Sequence, residues 1–228
     1  MKQALKYDFF LFDLDGTLTD PQVGMGKSLR YALDAINEQT EITDFTQLIG
    51  PPLRDSLRDI FGLEGERNEL AVTKYREYFG EKGLFENELY LGVIELLQKL
   101  KGDGVKMAIA TSKVKKYAER IAEHFGFSQY FDFIGGSEFD GRRGAKAEVI
   151  ADVLEHFQIG GSPEALARVV MIGDRKYDIV GAAAAGIDSI GVLWGFGSAE
   201  ELRAAGATSI VGSTEELYIS LQNEEVGI

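Results

Sequence analysis

Phe9-Phe10-Leu11-Phe12-Asp13-Leu14-Asp15-Gly16-Thr17-Leu18-Thr19 is the stretch on which the fold turns. Its apolar and aromatic opening predicts a buried strand. Two carboxylates one residue apart close it. Alternate side chains of an extended chain point the same way, so Asp13 and Asp15 can share one side of the strand end. Gly16 lets the backbone turn, and Thr17 sets a hydroxyl beside the pair. Carboxylates held this close do not both ionise cheaply unless a cation sits between them. A hard divalent metal with oxygen ligands relieves that repulsion, and Mg²⁺ fits best. Acidic, glycine-containing turns are common at strand ends, so this stretch alone fixes no function.

Working outward, the 228 residues suffice for a good core, as one large domain or one domain with an insertion. The apolar runs are too short to span a bilayer, and the N-terminus shows no apolar segment of a signal peptide. There is no cysteine, which excludes disulfides, thiolate catalysis and cysteine metal sites, and suits a cytoplasmic protein. The formal charge of −13 repels a phosphate backbone and argues against nucleic acid as the main partner. A small phosphorylated substrate is still acceptable, because a metal and a few cations can reverse the field inside one cleft.

Residues 27–80 predict helices. Leu29, Leu33 and Ile36 share a helical spacing, as do Leu53, Leu57 and Ile60, with Gly50-Pro51-Pro52 breaking the pattern between them. Tyr75 and Phe79 stand four apart in a further helix over 70–79. No strand is expected here, and residues 83–91 return the chain to the core. Tyr75, Tyr78 and Phe79 are expected to be core aromatics of this block. Alternation then begins: strands are expected at 105–110, 131–134, 169–172, 189–193 and 210–211, with helices between and after them. Strands alternating with helices predict a doubly wound α/β fold with a mostly parallel sheet. Such sheets bind ligands at the carboxyl ends of their strands, where Asp13 sits.

Three more groups fall at expected strand ends. Thr111 and Ser112 follow the 105–110 strand and precede a helix, where backbone N–H groups and a hydroxyl suit a phosphate oxygen or merely cap the helix. Lys146 lies ahead of a helix in Gly141-Arg142-Arg143-Gly144-Ala145-Lys146. Gly173-Asp174-Arg175-Lys176-Tyr177-Asp178 follows the 169–172 strand and puts two acids four apart, on one face of a turn that runs into a helix. His124 and His156 fall in helical stretches away from these groups and are read as surface residues.

Together these four groups resemble motifs I to IV of the haloacid dehalogenase superfamily, in order and over nearly the whole chain. The resemblance implies an HAD-like Rossmannoid core, residues 1–19 and 86–228, with an inserted helical C1 cap, residues 20–85. It implies that Asp13 is the nucleophile that becomes a phosphoaspartate and that Asp15 is the general acid and then base. It implies that Thr111 and Lys146 stabilise the phosphoryl group, a cationic duty that Arg142 or Arg143 could share. Gly16, Thr17, Ser112, Lys113 and Arg54 are expected at the substrate. Mg²⁺ is expected on Asp13, the backbone carbonyl of Asp15 and Asp174, with Asp178 bound through water or holding Lys146. The Thr-Ser-Lys form resembles the phosphoglycolate phosphatase-like branch. So does Gly191-Val192-Leu193-Trp194-Gly195-Phe196-Gly197, to which no chemistry is assigned.

The implied activity is Mg²⁺-dependent hydrolysis of small phosphomonoesters, phosphoglycolate first, with 5′-nucleotides and pyrophosphate as alternatives. A phosphosugar mutase is disfavoured because Ile49 and Leu53 stand where its loop carries cations, although Arg54 is adjacent. A non-catalytic, receiver-like domain uses a similar acidic cluster, but the lid-sized insertion after Asp15 counts against it. Oligomeric state is not legible in the sequence.

Overall fold

The computed structural model describes residues 5–42 and 44–222. In chain order the elements are β1 (Phe9–Phe12), β2 (Thr19–Asp20), α1 (Gln22–Ala35), α2 (Leu53–Phe61), α3 (Gly65–Tyr78), β3 (Glu88–Leu89), α4 (Val93–Asp103), β4 (Lys106–Val114), α5 (Lys115–His124) and β5 (Phe133–Ser137). There follow α6 (Lys146–His156), α7 (Pro163–Leu166), β6 (Val169–Gly173), α8 (Lys176–Ala185), β7 (Asp188–Val192), α9 (Ala199–Ala204), β8 (Ser209–Val211) and α10 (Thr214–Ser220).

Six strands form one sheet in the order β5-β4-β1-β6-β7-β8. Every pairing in it is parallel. β1 lies inside, in register with Met107 and Val170 at Phe10 and with Ile109 and Ile172 at Phe12. Alternation along the strand explains its unbroken apolar run, because each face is covered by helices. Phe10, Phe12, Met107, Ile109, Val170 and Ile172 enter one core with residues of α4, α5 and the helical block. Leu11, Ala108, Ala110, Val169 and Met171 enter a second core with Val149, Ile150 and Val153 of α6. The sheet is therefore doubly wound, as the alternation predicts.

Three departures from the sequence expectations matter. First, β2 and β3 pair antiparallel, Thr19 with Leu89 and Asp20 with Glu88, where the chain leaves for the helical block and where it returns. A two-residue strand carries no periodicity to read. Second, β4 runs on past Ala110 through an irregularity and pairs again at Val114 with Ser137. Thr111 and Ser112 thus lie within this extension rather than at a helix N-terminus, and α5 opens only at Lys115. Third, the strand expected at 131–134 starts at Phe133, and Phe131 instead packs edge-on against Phe12 and Phe127. Among the described residues no helix is long and apolar enough to cross a membrane.

The helical block is rooted by close backbone approach. A π-turn, Phe79–Gly83, follows α3. A Cβ on Gly24 of α1 would lie 2.0 Å from the Gly83 carbonyl oxygen, and Ser28 Oγ donates to the Gly24 carbonyl at 2.6 Å. Gly24→Ala must therefore push α1 off the π-turn. It is expected to cost about 1–3 kcal/mol. Thermal unfolding should show a drop of about 2–4 °C for each kcal/mol lost.

Candidate active site

The carboxyl ends of β1, β4 and β5 open on one cavity of about 420 Å³. Its floor and walls carry Asp13, Asp15, Thr111, Ser112, Lys113 and Ser137, and its roof carries Pro52, Leu53, Arg54, Tyr75, Arg76 and Phe79 from the helical block. The parallel sheet explains the convergence: all its strands finish on the same side, so side chains far apart in sequence meet there.

Asp13 is held in one orientation. Its Oδ1 accepts the backbone N–H of Leu14 at 2.8 Å and pairs with Lys146 Nζ at 2.8 Å. The same Nζ pairs with Asp178 Oδ1 at 2.8 Å and donates to the Ala110 carbonyl at 2.9 Å. Lys146 is buried together with both of its acids. Burial works against its charge, but Asp13 and Asp178 outweigh that and raise its pKa. Arg142 and Arg143 go elsewhere: Arg142 pairs with Asp140, and Arg143 with Glu138 and Asp152.

Asp15 Oδ2 pairs with Lys113 Nζ at 2.9 Å, and that ammonium lies 4.3 Å from the centre of the Phe79 ring in the roof. Asp15 Oδ1 is buried without a hydrogen-bond partner among the described residues. Burial pushes the Asp15 carboxyl up, Lys113 only partly offsets this, and Asp13 adds to the rise. A carboxyl that keeps its proton more readily than in water is suited to donating it.

Asp174 is fully buried, and its Oδ2 accepts the Phe196 backbone N–H at 2.8 Å. Gly16 and Thr17, expected at the substrate, stand against this carboxylate and are not among the residues lining the cavity. Gly16 has φ +84, and a Cβ there would meet Asp174 Oδ2 at 2.3 Å. Thr17 Oγ1 approaches Asp174 Oδ1 at 3.4 Å, and Trp194 Nε1 donates to the Thr17 carbonyl at 3.0 Å. The glycine-rich loop after β7 therefore supports Asp174 from behind. A Cβ on Gly195 would sit 2.2 Å from the Gly16 carbonyl oxygen, and one on Gly197 1.8 Å from that of Asp174.

Asp13, Asp174 and Asp178 offer oxygens within 4.8 Å of one another, all from buried residues. Burial first, then the neighbouring acids, lifts Asp174 well above the usual carboxylate range. Burial also raises Asp178, to about 6, with Lys146 opposing and Asp13 reinforcing the rise. One ammonium thus serves two carboxylates, and the third, Asp174, has no ion-pair partner among the described residues. An all-oxygen, charge-deficient donor set of this kind fits a hard divalent ion such as Mg²⁺.

The remaining expected residues divide. Ser112 lines the cavity, and its carbonyl accepts Ser137 Oγ at 2.8 Å. Thr111 Oγ1 accepts the Lys113 backbone N–H at 3.2 Å. Arg54 lines the cavity but forks onto Glu69, with Nε at 2.6 Å and Nη2 at 2.9 Å. His124 and His156 are exposed, the first tilted against Phe85 and the second stacked on Phe133, and do not line the cavity. Sequence reasoning missed Arg76, Tyr117 and Arg175. Arg76 and Tyr117 line the cavity from helices, with no motif to mark them. Arg175 Nη1 donates to the Ile49 carbonyl at 2.6 Å and its Nε to Glu201 at 2.9 Å, tying the Asp174 loop to the roof.

The chain belongs to the haloacid dehalogenase-like hydrolases, whose family profile matches residues 10–192. A 5′-nucleotidase of Pseudomonas aeruginosa is 42% identical over 202 residues, spanning 88% of this chain and 89% of that protein. The tyrosine-protein kinase PtkA of Mycobacterium tuberculosis is 42% identical over 219 residues, spanning 96% of this chain and 72% of the kinase. Among solved structures, that of a predicted phosphatase from Clostridium acetobutylicum matches with a TM-score of 0.89 at 42% identity, over 94% of this chain and 97% of that one.

The raised carboxyls give a signed expectation. In the metal-free fold Asp174 and Asp178 hold protons more tightly than in the unfolded chain, so protonation stabilises the metal-free fold as pH falls through about 6. A cation competes with those protons. Mg²⁺ is therefore expected to raise the melting temperature more at about pH 8 than at about pH 5. Equal shifts at the two pH values, or none, would contradict the cluster as the metal site.

Proposed function

We propose that the protein hydrolyses small phosphomonoesters with Mg²⁺, through a phosphoaspartate on Asp13. The observation that carries this reading is the orientation of Asp13 on the cavity floor. Its Oδ1 is fixed by Leu14 N–H and Lys146, which leaves Oδ2 to attack phosphorus. As the Asp13–phosphorus bond forms and the ester bond breaks, Asp15 gives its proton to the departing oxygen. Asp15, now a carboxylate, then takes a proton from the water that attacks the phosphoaspartate. The bond from phosphorus to Asp13 breaks and inorganic phosphate leaves. Lys146 and Thr111 stabilise the phosphoryl charge.

Asp13, Asp174 and the Asp15 carbonyl would hold Mg²⁺, with Asp178 keeping Lys146 in place. The bound ion supplies positive charge to the phosphoryl oxygens. Residues 20–85 act as a cap over a core formed by residues 1–19 and 86–228. The cap roofs the cavity and excludes bulk water.

For the substrate, the cavity favours 5′-nucleotides over phosphoglycolate. A volume of about 420 Å³ exceeds what a two-carbon ester fills, and Tyr75, Phe79 and Tyr117 give it flat aromatic walls. The relative named a 5′-nucleotidase points the same way. Neither Ile49 nor Leu53 provides the second phosphate grip of a mutase. Phosphoryl transfer to an acceptor is a second reading, favoured by the relative named a tyrosine-protein kinase.

Phosphate release from nucleoside 5′-monophosphates, phosphoglycolate, pyrophosphate and sugar phosphates tests this. Turnover is expected to need Mg²⁺ and to fall by at least about 10³-fold in Asp13→Asn, which removes the nucleophile. Release that persists in that variant would refute the nucleophile. Phosphate retained on the protein without release would favour transfer.

A further inference from the structure

We propose that Arg76 is a specificity-determining residue that binds an oxygen acceptor on the substrate's leaving group, an inference that rests on the phosphatase reading above. Three basic side chains line the cavity: Arg54, Arg76 and Lys113. Lys113 is taken by Asp15, and Arg54 by Glu69. Arg76 has no carboxylate within ion-pair distance among the described residues. Its one hydrogen bond runs from Nη1 to the Phe139 carbonyl, at 2.8 Å. A guanidinium carries five N–H donors in a rigid plane, so most of that fork is left for a ligand.

The surroundings aim the fork. Arg76 lies 5.2 Å from the centre of the Phe139 ring, which meets Tyr117 edge-on at 5.3 Å. The Phe139 ring covers part of the guanidinium, and Arg76 is among the residues that line the cavity. The side chain is half-buried, and burial together with the nearby Arg54 charge disfavours its ionised form. An acceptor oxygen in the cavity would offset that cost, because charge-assisted hydrogen bonds are the stronger kind. Arg76 also stands in the roof while Asp13 stands in the floor. It therefore meets the leaving group rather than the phosphoryl group. The chemistry required is a carboxylate or a nucleobase carbonyl oxygen.

Steady-state kinetics on the full chain with Mg²⁺ test this with two substrate pairs. One is phosphoglycolate against ethyl phosphate, which lacks the carboxylate. The other is uridine 5′-monophosphate against ribose 5-phosphate, which lacks the base. In Arg76→Met the kcat/KM ratio of one pair is expected to collapse by roughly 10- to 100-fold, mainly through KM. Arg76→Lys should recover part of it, because charge returns without the fork. The pair that collapses names the source of the acceptor. Ratios that stay fixed, including an equal fall for all four substrates, would overturn the role of Arg76 alone. No turnover of any of the four by the unaltered protein would overturn the phosphatase reading and this inference with it. If Arg76→Met does not fold, Arg76→Lys carries the test: a reduced ratio supports the proposal, and an unchanged one refutes it.

Discussion

Four buried carboxylates and two buried ammonium groups share the end of one sheet. Asp15 pairs with Lys113, Asp13 and Asp178 share Lys146, and Asp174 pairs with neither, so these six groups carry a formal excess of two negative charges. Uncompensated charge away from water is among the most expensive arrangements a fold can hold. The raised carboxyls of Asp15, Asp174 and Asp178 are the local sign of that imbalance. A divalent cation held there would cancel that excess and lower the repulsion toward an incoming phosphoryl group.

The rest of the molecule keeps those charges where they are. A central strand buried on both faces cannot shift without uncovering two cores, so Asp13 inherits the rigidity of β1. Lys146 opens α6 and reaches across to the Ala110 carbonyl within β4. The helical block lines the other side of the cavity. It is joined to the sheet by the short β2–β3 pair and touches the Asp174 loop through Arg175.

Much of this was legible in the sequence, and the reason is physical. Parallel strands buried on both faces read as apolar runs, and active residues of such sheets sit just past those runs. This puts Asp13 and Asp174 at one edge of the sheet, and the family resemblance adds Lys146, which opens α6 well past the end of β5. What stayed hidden lacked periodicity or depended on distant partners. β2 and β3 are too short to show a pattern, and the extension of β4 beyond Ala110 is set by its pairing with Ser137. The short helices α7 and α9 carry Ser162 and Ser198 as N-caps, signals present in the sequence but too brief to weigh without context. Arg76 is one of two arginines on α3, and only the fold shows that Arg67 pairs with Glu38 while Arg76 has no ion-pair partner among the described residues. No chemistry is assigned to the Gly191–Gly197 stretch from its sequence, because close approach leaves no mark there except glycine.

That close approach has a consequence for how the site can vary. Behind Asp174 the chain passes itself backbone to backbone at Gly16, Gly195 and Gly197, and no side-chain volume remains there. A larger residue at any of these points would displace the carboxylate itself. The support behind Asp174 therefore tolerates no enlargement, whereas the roof meets the cavity with side chains on helices, which can change residue by residue without moving that carboxylate. The fold in this way separates a fixed engine from an exchangeable gate.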